Sequence, residues 1–123
     1  MKIVSTKKAP EAIGPYSQAV AANGFIFTSG QIALTSEGKF LDEDIKTQTE
    51  QVLKNLSEIL KESGSSLDKV VKTTIFLTDI NDFATVNEIY AKAFGEHKPA
   101  RSTVGVKSLP KSARVEIEAV AVV

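Results

Sequence analysis

Cysteine is absent from this chain of 123 residues, and histidine occurs once, as His97. The first absence excludes disulfides, thiol nucleophiles and thiolate metal sites, and fits a reducing compartment. The second excludes a histidine metal cluster or a His pair. No run approaches the ~20 apolar residues of a membrane span. The first residues, Met1-Lys2-Ile3-Val4-Ser5-Thr6-Lys7-Lys8, carry charge without an apolar core, so no signal peptide is visible. Excess charge is lacking too: 15 basic residues balance 15 acidic ones, which leaves no broad basic field to recruit nucleic acid. A cytoplasmic protein without a membrane partner is expected.

What is present is ordinary globular composition, 42% hydrophobic and 24% charged, in a chain of one-domain length. Such a chain buries roughly two-thirds of its unfolded surface and needs no staple. Lys2 to Ser5 is a candidate edge strand, followed by a loop, Ala9 to Tyr16, punctuated by Pro10, Gly14 and Pro15. Asn23-Gly24 between Gln18–Ala22 and Phe25–Ser29 is the signature of a type I′ hairpin. The second of those strands runs into Ser29-Gly30-Gln31, and Leu34 to Phe40 is a polar connection.

From Glu43 to Ser63, the residues Ile45, Val52, Leu53, Leu56, Ile59 and Leu60 form one helical stripe, with Asp42 or Asp44 to cap it and Gly64 to close it. Val70 to Leu77 is a β-branched run whose nearly continuous apolar character predicts burial on both faces. A second helix, Phe83 to Phe94, follows Asn81 or Asp82 as cap and carries Asn87 on its rim; His97 falls in the exposed loop after it. Arg101–Val106 and Ala113–Val123 are expected to form a final hairpin, with Val115, Ile117, Ala119 and Ala121 on one face and Glu116, Glu118, Val120 and Val122 on the other. The sum is an α+β fold of six strands with both helices on one sheet face. The opposite face mixes valines with charges and calls for self-association.

Arg101 opens a strand behind Pro99, so a rigid element would hold its guanidinium, whose fork matches a carboxylate. Each candidate also has a plain structural reading: Arg101 as a solvated arginine, Tyr16 as a packed ring, Ser29-Gly30 as a turn or bulge, Asn87 as a solvated amide, and Glu116 as a solvent-facing carboxylate. No phosphate loop, metal-ligand spacing or nucleophile elbow appears. What is left suits recognition of a small anion, with a carboxylate near its reacting end.

The segments Ile13-Gly14-Pro15-Tyr16-Ser17-Gln18-Ala19, Phe27-Thr28-Ser29-Gly30-Gln31, Phe83-Ala84-Thr85-Val86-Asn87, Pro99-Ala100-Arg101-Ser102-Thr103-Val104, Leu109-Pro110-Lys111 and Val115-Glu116-Ile117-Glu118-Ala119-Val120-Ala121 occur in that order. Together they resemble the RidA/YjgF family of reactive-imine deaminases over essentially the whole chain. The resemblance implies a single chorismate-mutase-like domain over residues 1–123, a homotrimer closing a central β-barrel, and clefts at the subunit interfaces. It implies hydrolysis of 2-iminobutanoate and 2-iminopropanoate to 2-oxo acids and ammonia, with no cofactor and no metal. Arg101 then holds the substrate carboxylate and Glu116 is the acid/base group. Tyr16, Ser29, Gly30, Asn87 and Pro110 shape the cleft. Many members carry cysteine where this chain has Thr103, whose backbone N–H is expected to assist Arg101. A nearby Arg101 is expected to keep Glu116 ionised unless burial opposes it. A non-catalytic carboxylate-binding regulator and an RNA-cleaving or translation-inhibiting protein are the alternatives, the latter disfavoured by the neutral charge balance.

Overall fold

Asp44 begins the longest element for a local reason. Its Oδ1 accepts from the Thr47 N–H at 2.9 Å, which holds its carboxyl below the usual range and caps helix α1, Ile45–Glu62. The helix stops where Gly64 takes φ +80°: the Ser65 N–H bonds the Leu60 carbonyl and the Gly64 N–H bonds the Lys61 carbonyl, a Schellman closure. The computed structural model describes residues 1–123. Its other elements are strands β1 (Lys2–Val4), β2 (Ala19–Ala22), β3 (Phe25–Thr28), β4 (Val70–Leu77), β5 (Ala100–Gly105) and β6 (Val115–Val122), and helix α2 (Phe83–Phe94). The hairpin of β2 and β3 turns on Asn23 at φ +52° and Gly24 at φ +82°, as the dipeptide demands.

One mixed sheet of six strands results, in the order β1-β2-β3-β6-β4-β5. The expected final hairpin does not form. β5 runs parallel to β4 at the sheet edge, and β6 pairs antiparallel with both β3 and β4 in the centre. The physical reason is α2: a helical crossover returns the chain beside β4 in the same direction, and the central place is left for the last strand.

Both helices cover one face. Ile26, Val70, Ile75, Leu77, Val115 and Ile117 meet Val52, Leu56, Ile59, Leu60 and Val86 there, all at or near zero exposure. Each such side chain contributes about 1.5–3 kcal/mol by leaving water. The other face is open. Phe25, Phe27 and Val104 are 41%, 48% and 41% exposed there.

β4 is therefore buried on one face only. Val70, Thr73, Ile75 and Leu77 point into the core, while Lys72, Thr74 and Phe76 stay partly open and Val71 sits beside a register shift between Val70 and Lys72. Its β-branched residues supply strand propensity on either face, which mimicked two-sided burial in the sequence. Three smaller features correct or add to the expectations. Asp82 takes the N-cap position of α2 as expected but makes no side-chain bond there, and Asp79 caps the turn before it, accepting from the Asn81 N–H at 2.9 Å. His97 is half-buried and bonded to the Val70 carbonyl. The Leu34–Phe40 connection closes on itself through a bridge between those two residues.

Candidate active site

Two cavities carry the residues singled out above, and they lie on opposite faces of the sheet. Register fixes this. Glu116 pairs with Phe76 and Arg101 pairs with Thr73; Phe76 and Thr73 are an odd number of positions apart on β4 and so face opposite ways.

Glu116 stands on the open face. Gln31 bonds across to Ile117, N–H to carbonyl in both directions at 2.9 and 3.1 Å, and this draws the Ser29-Gly30 backbone over the glutamate. A Cβ on Gly30 would sit 2.5 Å from Glu116 Oε2, so only glycine permits that approach. Burial is the first cause that raises the Glu116 pKa and the neighbouring Glu118 charge is the second. Arg101 does not offset them within one chain, so the expectation that it holds Glu116 ionised is not met there. The cavity in front of Glu116, of about 540 Å³, is lined by Tyr16, Ser29, Gly30 and Pro110 as expected, and also by Glu11, Gln18 and Lys111. Ser29 spends its hydroxyl proton on the Ser17 carbonyl at 2.5 Å, which leaves its oxygen lone pairs to accept. Tyr16 is held by its N–H on the Gly14 carbonyl at 2.9 Å, Gly14 having φ +125°. Pro110 leads a tight turn in which Lys111 and Ser112 adopt φ +58° and +57°, a region costly for both residue types.

Arg101 stands on the helix face, at the edge strand. Its Nη1 donates to Asn87 Oδ1 at 2.8 Å, and its guanidinium carbon lies 4.9 Å from the Tyr90 ring centroid and 5.3 Å from that of Phe83. Tyr90 is fixed in turn by a 2.8 Å hydrogen bond with Thr73 Oγ1, and burial raises its phenol pKa. An amide and two aromatic faces thus aim the guanidinium, whose other donors are free for a planar anion. Thr103 follows on the same face of β5, with its hydroxyl buried and unpartnered. The adjoining cavity, of about 480 Å³, is lined by Asn87, Tyr90, Phe94, His97, Lys98 and Arg101.

The profile of the family described as Endoribonuclease L-PSP matches residues 6–123. The chain belongs to this family. Its relatives include the chloroplastic Reactive Intermediate Deaminase A of Arabidopsis thaliana, 58% identical over 98% of this chain; the chain spans only 65% of that protein's length. The human 2-iminobutanoate/2-iminopropanoate deaminase is 51% identical over 98% of this chain and 89% of its own. Among solved structures, yeast Mmf1 superposes with a TM-score of 0.96 at 50% identity, covering 98% of this chain and 97% of its own. Escherichia coli TdcF with bound serine superposes with a TM-score of 0.95 at 44% identity, covering 100% and 99%. Family membership does not fix a compartment, since one relative is chloroplastic and the yeast protein is mitochondrial. No helix of the chain is long and apolar enough to cross a membrane.

Two residues that hold the Glu116 cavity in shape went unnoticed in the sequence. Gln18, 3% exposed, accepts from the Thr6 N–H at 2.7 Å and donates to the carbonyls of Thr6 and Pro10 at 3.0 and 2.7 Å, tying down the loop before Tyr16. Asn55, within the buried stripe of α1, donates to the carbonyls of Ile32 and Leu34, which continue the Ser29-Gly30 segment. The signal for both was a lone amide inside an otherwise apolar pattern.

Proposed function

We propose that the protein hydrolyses 2-imino acids and their enamine tautomers, 2-iminobutanoate and 2-iminopropanoate among them, to 2-oxo acids and ammonia, in clefts completed between copies of a homotrimer. The observation that carries this reading is the placement of Glu116 and Arg101 on opposite faces of one sheet. One chain supplies half of a cleft twice. The Arg101 half lies on the edge strand β5, where a neighbouring copy is within reach. The Glu116 half lies on the open face, whose exposed Phe25, Phe27 and Val104 favour burial against other copies. Three such single-domain chains, residues 1–123, with open faces turned inward, make the central barrel of a chorismate-mutase-like assembly. The relative from human, named for exactly this reaction type, supports the substrate class.

The chemistry follows from the groups. Arg101 holds the substrate carboxylate with two parallel hydrogen bonds, steadied by Asn87 and helped by the Thr103 backbone N–H. Glu116 takes a proton from water as the water oxygen bonds to the iminium carbon, then hands it to nitrogen. The carbon–nitrogen bond of the protonated carbinolamine then breaks and nitrogen leaves as ammonia, while the Glu116 carboxylate takes the hydroxyl proton and the oxygen becomes the new carbonyl. A carboxyl whose pKa is raised by burial is a stronger base than an ordinary one and keeps its proton nearer neutrality, so it takes the proton from water more readily and retains it for nitrogen. Tyr16, Ser29, Gly30 and Pro110 confine the reacting end. RNA cleavage fits less well: net charge is zero and the one histidine has its Nε2 engaged with the Val70 carbonyl at 2.6 Å.

The test is the rate of 2-oxobutanoate formation from imine released in situ by an amino-acid oxidase. The wild type should exceed spontaneous hydrolysis and Arg101→Ala should not. No acceleration by the wild type, or full acceleration by Arg101→Ala, ends the proposal.

A further inference from the structure

The cavity beside Arg101 extends beyond what one carboxylate needs. It continues past the guanidinium along Tyr90 and Phe94, whose rings lie 4.4 Å apart, to His97 and Lys98. Its charged lining is Arg101 and Lys98, with His97 beside them; no aspartate or glutamate lines it. The Glu116 cavity differs, with Glu11 and Glu116 against Lys111. The chain has one ion pair within 4.0 Å, Lys61 with Glu58, so neither Lys98 nor Arg101 is neutralised by a partner.

Lys98 is held between anchored residues. On one side, the His97 N–H bonds the Phe94 carbonyl at 3.2 Å and its ring bonds the Val70 carbonyl at 2.6 Å. A carbonyl only accepts, so Nε2 carries the proton and His97 acts as a clamp on β4. On the other side, Pro99 fixes the backbone before β5 begins at Ala100. Positions 98 and 101 are at most roughly 10 Å apart along an extended chain, a span that two long cationic side chains can bridge around a small diacid.

We propose that Lys98 forms a second anion subsite beside Arg101, so that the protein accepts 2-imino and 2-oxo acids whose side chain ends in a second carboxylate. This rests on the reading of Arg101 as the holder of the 2-carboxylate. Arg101 takes that group, Lys98 takes the distal one, and the connecting methylenes span the cavity between them, floored by the buried Tyr90 and Phe94 rings. The acidic wall of the other cavity repels a second negative charge, so the distal carboxylate is directed to Lys98.

The test is calorimetric binding of 2-oxoglutarate and of 2-oxohexanoate, whose side chain has the same length without the distal charge. The wild type should bind the diacid roughly two- to fivefold more tightly, the range expected for one exposed charge pair. Lys98→Gln should bring the two affinities together, Lys98→Arg should keep them apart, and Lys111→Gln should leave the ratio unchanged. Equal affinities in the wild type, or a ratio that survives Lys98→Gln, would overturn the subsite. A wild type that prefers the diacid through Lys98 yet fails to accelerate 2-iminobutanoate hydrolysis supports the subsite and refutes the hydrolase instead.

Discussion

The Glu116 cavity and the Arg101 cavity are of similar volume, about 540 and 480 Å³, and are built on opposite electrostatic plans. Around Glu116 the fold withholds partners. The Gly30 backbone lies close over the half-buried carboxyl, a like charge stands at Glu118, and the carboxyl pKa rises. Around Arg101 the fold supplies partners: an amide oxygen and two ring faces hold the guanidinium without neutralising it. A group that must exchange a proton is tuned by removing stabilisation of its charge. A group that must hold an anion is aimed by contacts that leave its charge intact. On the proposed reading, the difference lets both residues serve one reaction while facing apart in one chain.

The strongest way to break this comparison is to separate the two halves genetically. Arg101→Ala and Glu116→Gln should each lower kcat/KM by about 10²-fold or more. Refolded together from denaturant, the two inactive variants should regain activity, because about one cleft in four of a randomly assembled trimer then has both an intact Glu116 and an intact Arg101. If both residues served one site within a single chain, every chain in the mixture would be defective and no activity would return.

Next in size is Gly30→Ala. The new methyl would fall 2.5 Å from Glu116 Oε2, so the carboxylate must swing away while the backbone stays. We expect kcat to fall by about 10- to 100-fold with little change in KM, since the Arg101 half is untouched. Equal losses in kcat and in affinity for 2-oxobutanoate would mean that the glycine shapes the binding half as well.

The sequence displayed the local elements and concealed what depends on pairing. The helix from 45 to 62 and its Gly64 closure, the Asn23-Gly24 hairpin and the strand 70–77 were legible because each rests on short-range spacing and turn chemistry. The parallel placement of β5 was not, because Arg101–Val106 and Ala113–Val123 are close in sequence and a hairpin is the simplest joint between them. The left-handed Lys111-Ser112 turn was hidden because neither residue favours it. Of the candidate site, the residue types stood out, but the division between faces required the register of β4 with both neighbours. Gln18 and Asn55 were passed over because buried amides look like surface residues until their carbonyl partners are known.

Those hidden supports give a third, smaller test. Gln18→Leu would strand the Thr6 N–H and the carbonyls of Thr6 and Pro10, and should cost about 2–3 kcal/mol of unfolding free energy, read from a lowered urea midpoint. The equivalent support on the other side, Asn87, is exposed and makes one bond; Asn87→Ala should cost under about 1 kcal/mol and act on KM instead. Stability losses of equal size would erase the distinction between a buried amide that frames one cavity and an exposed amide at the rim of the other.

The smallest effect is the most direct probe of how the halves meet. The Glu116 pKa is raised from 4.5 in the folded chain, so between 4.5 and that higher value the native state binds the proton more readily than the unfolded state. Stability contributed by this group is therefore present at low pH and lost as pH rises through that window. Glu116→Gln cannot titrate, so its urea midpoint should fall less than that of the wild type between pH 4 and pH 7.5. A neighbouring copy's Arg101 entering the cleft opposes burial and pulls the pKa back down, so Arg101→Ala should steepen the wild-type decline. A slope unchanged by Arg101→Ala would mean that the guanidinium never comes near Glu116, in one chain or between chains, and the two cavities would have to be assigned to separate tasks.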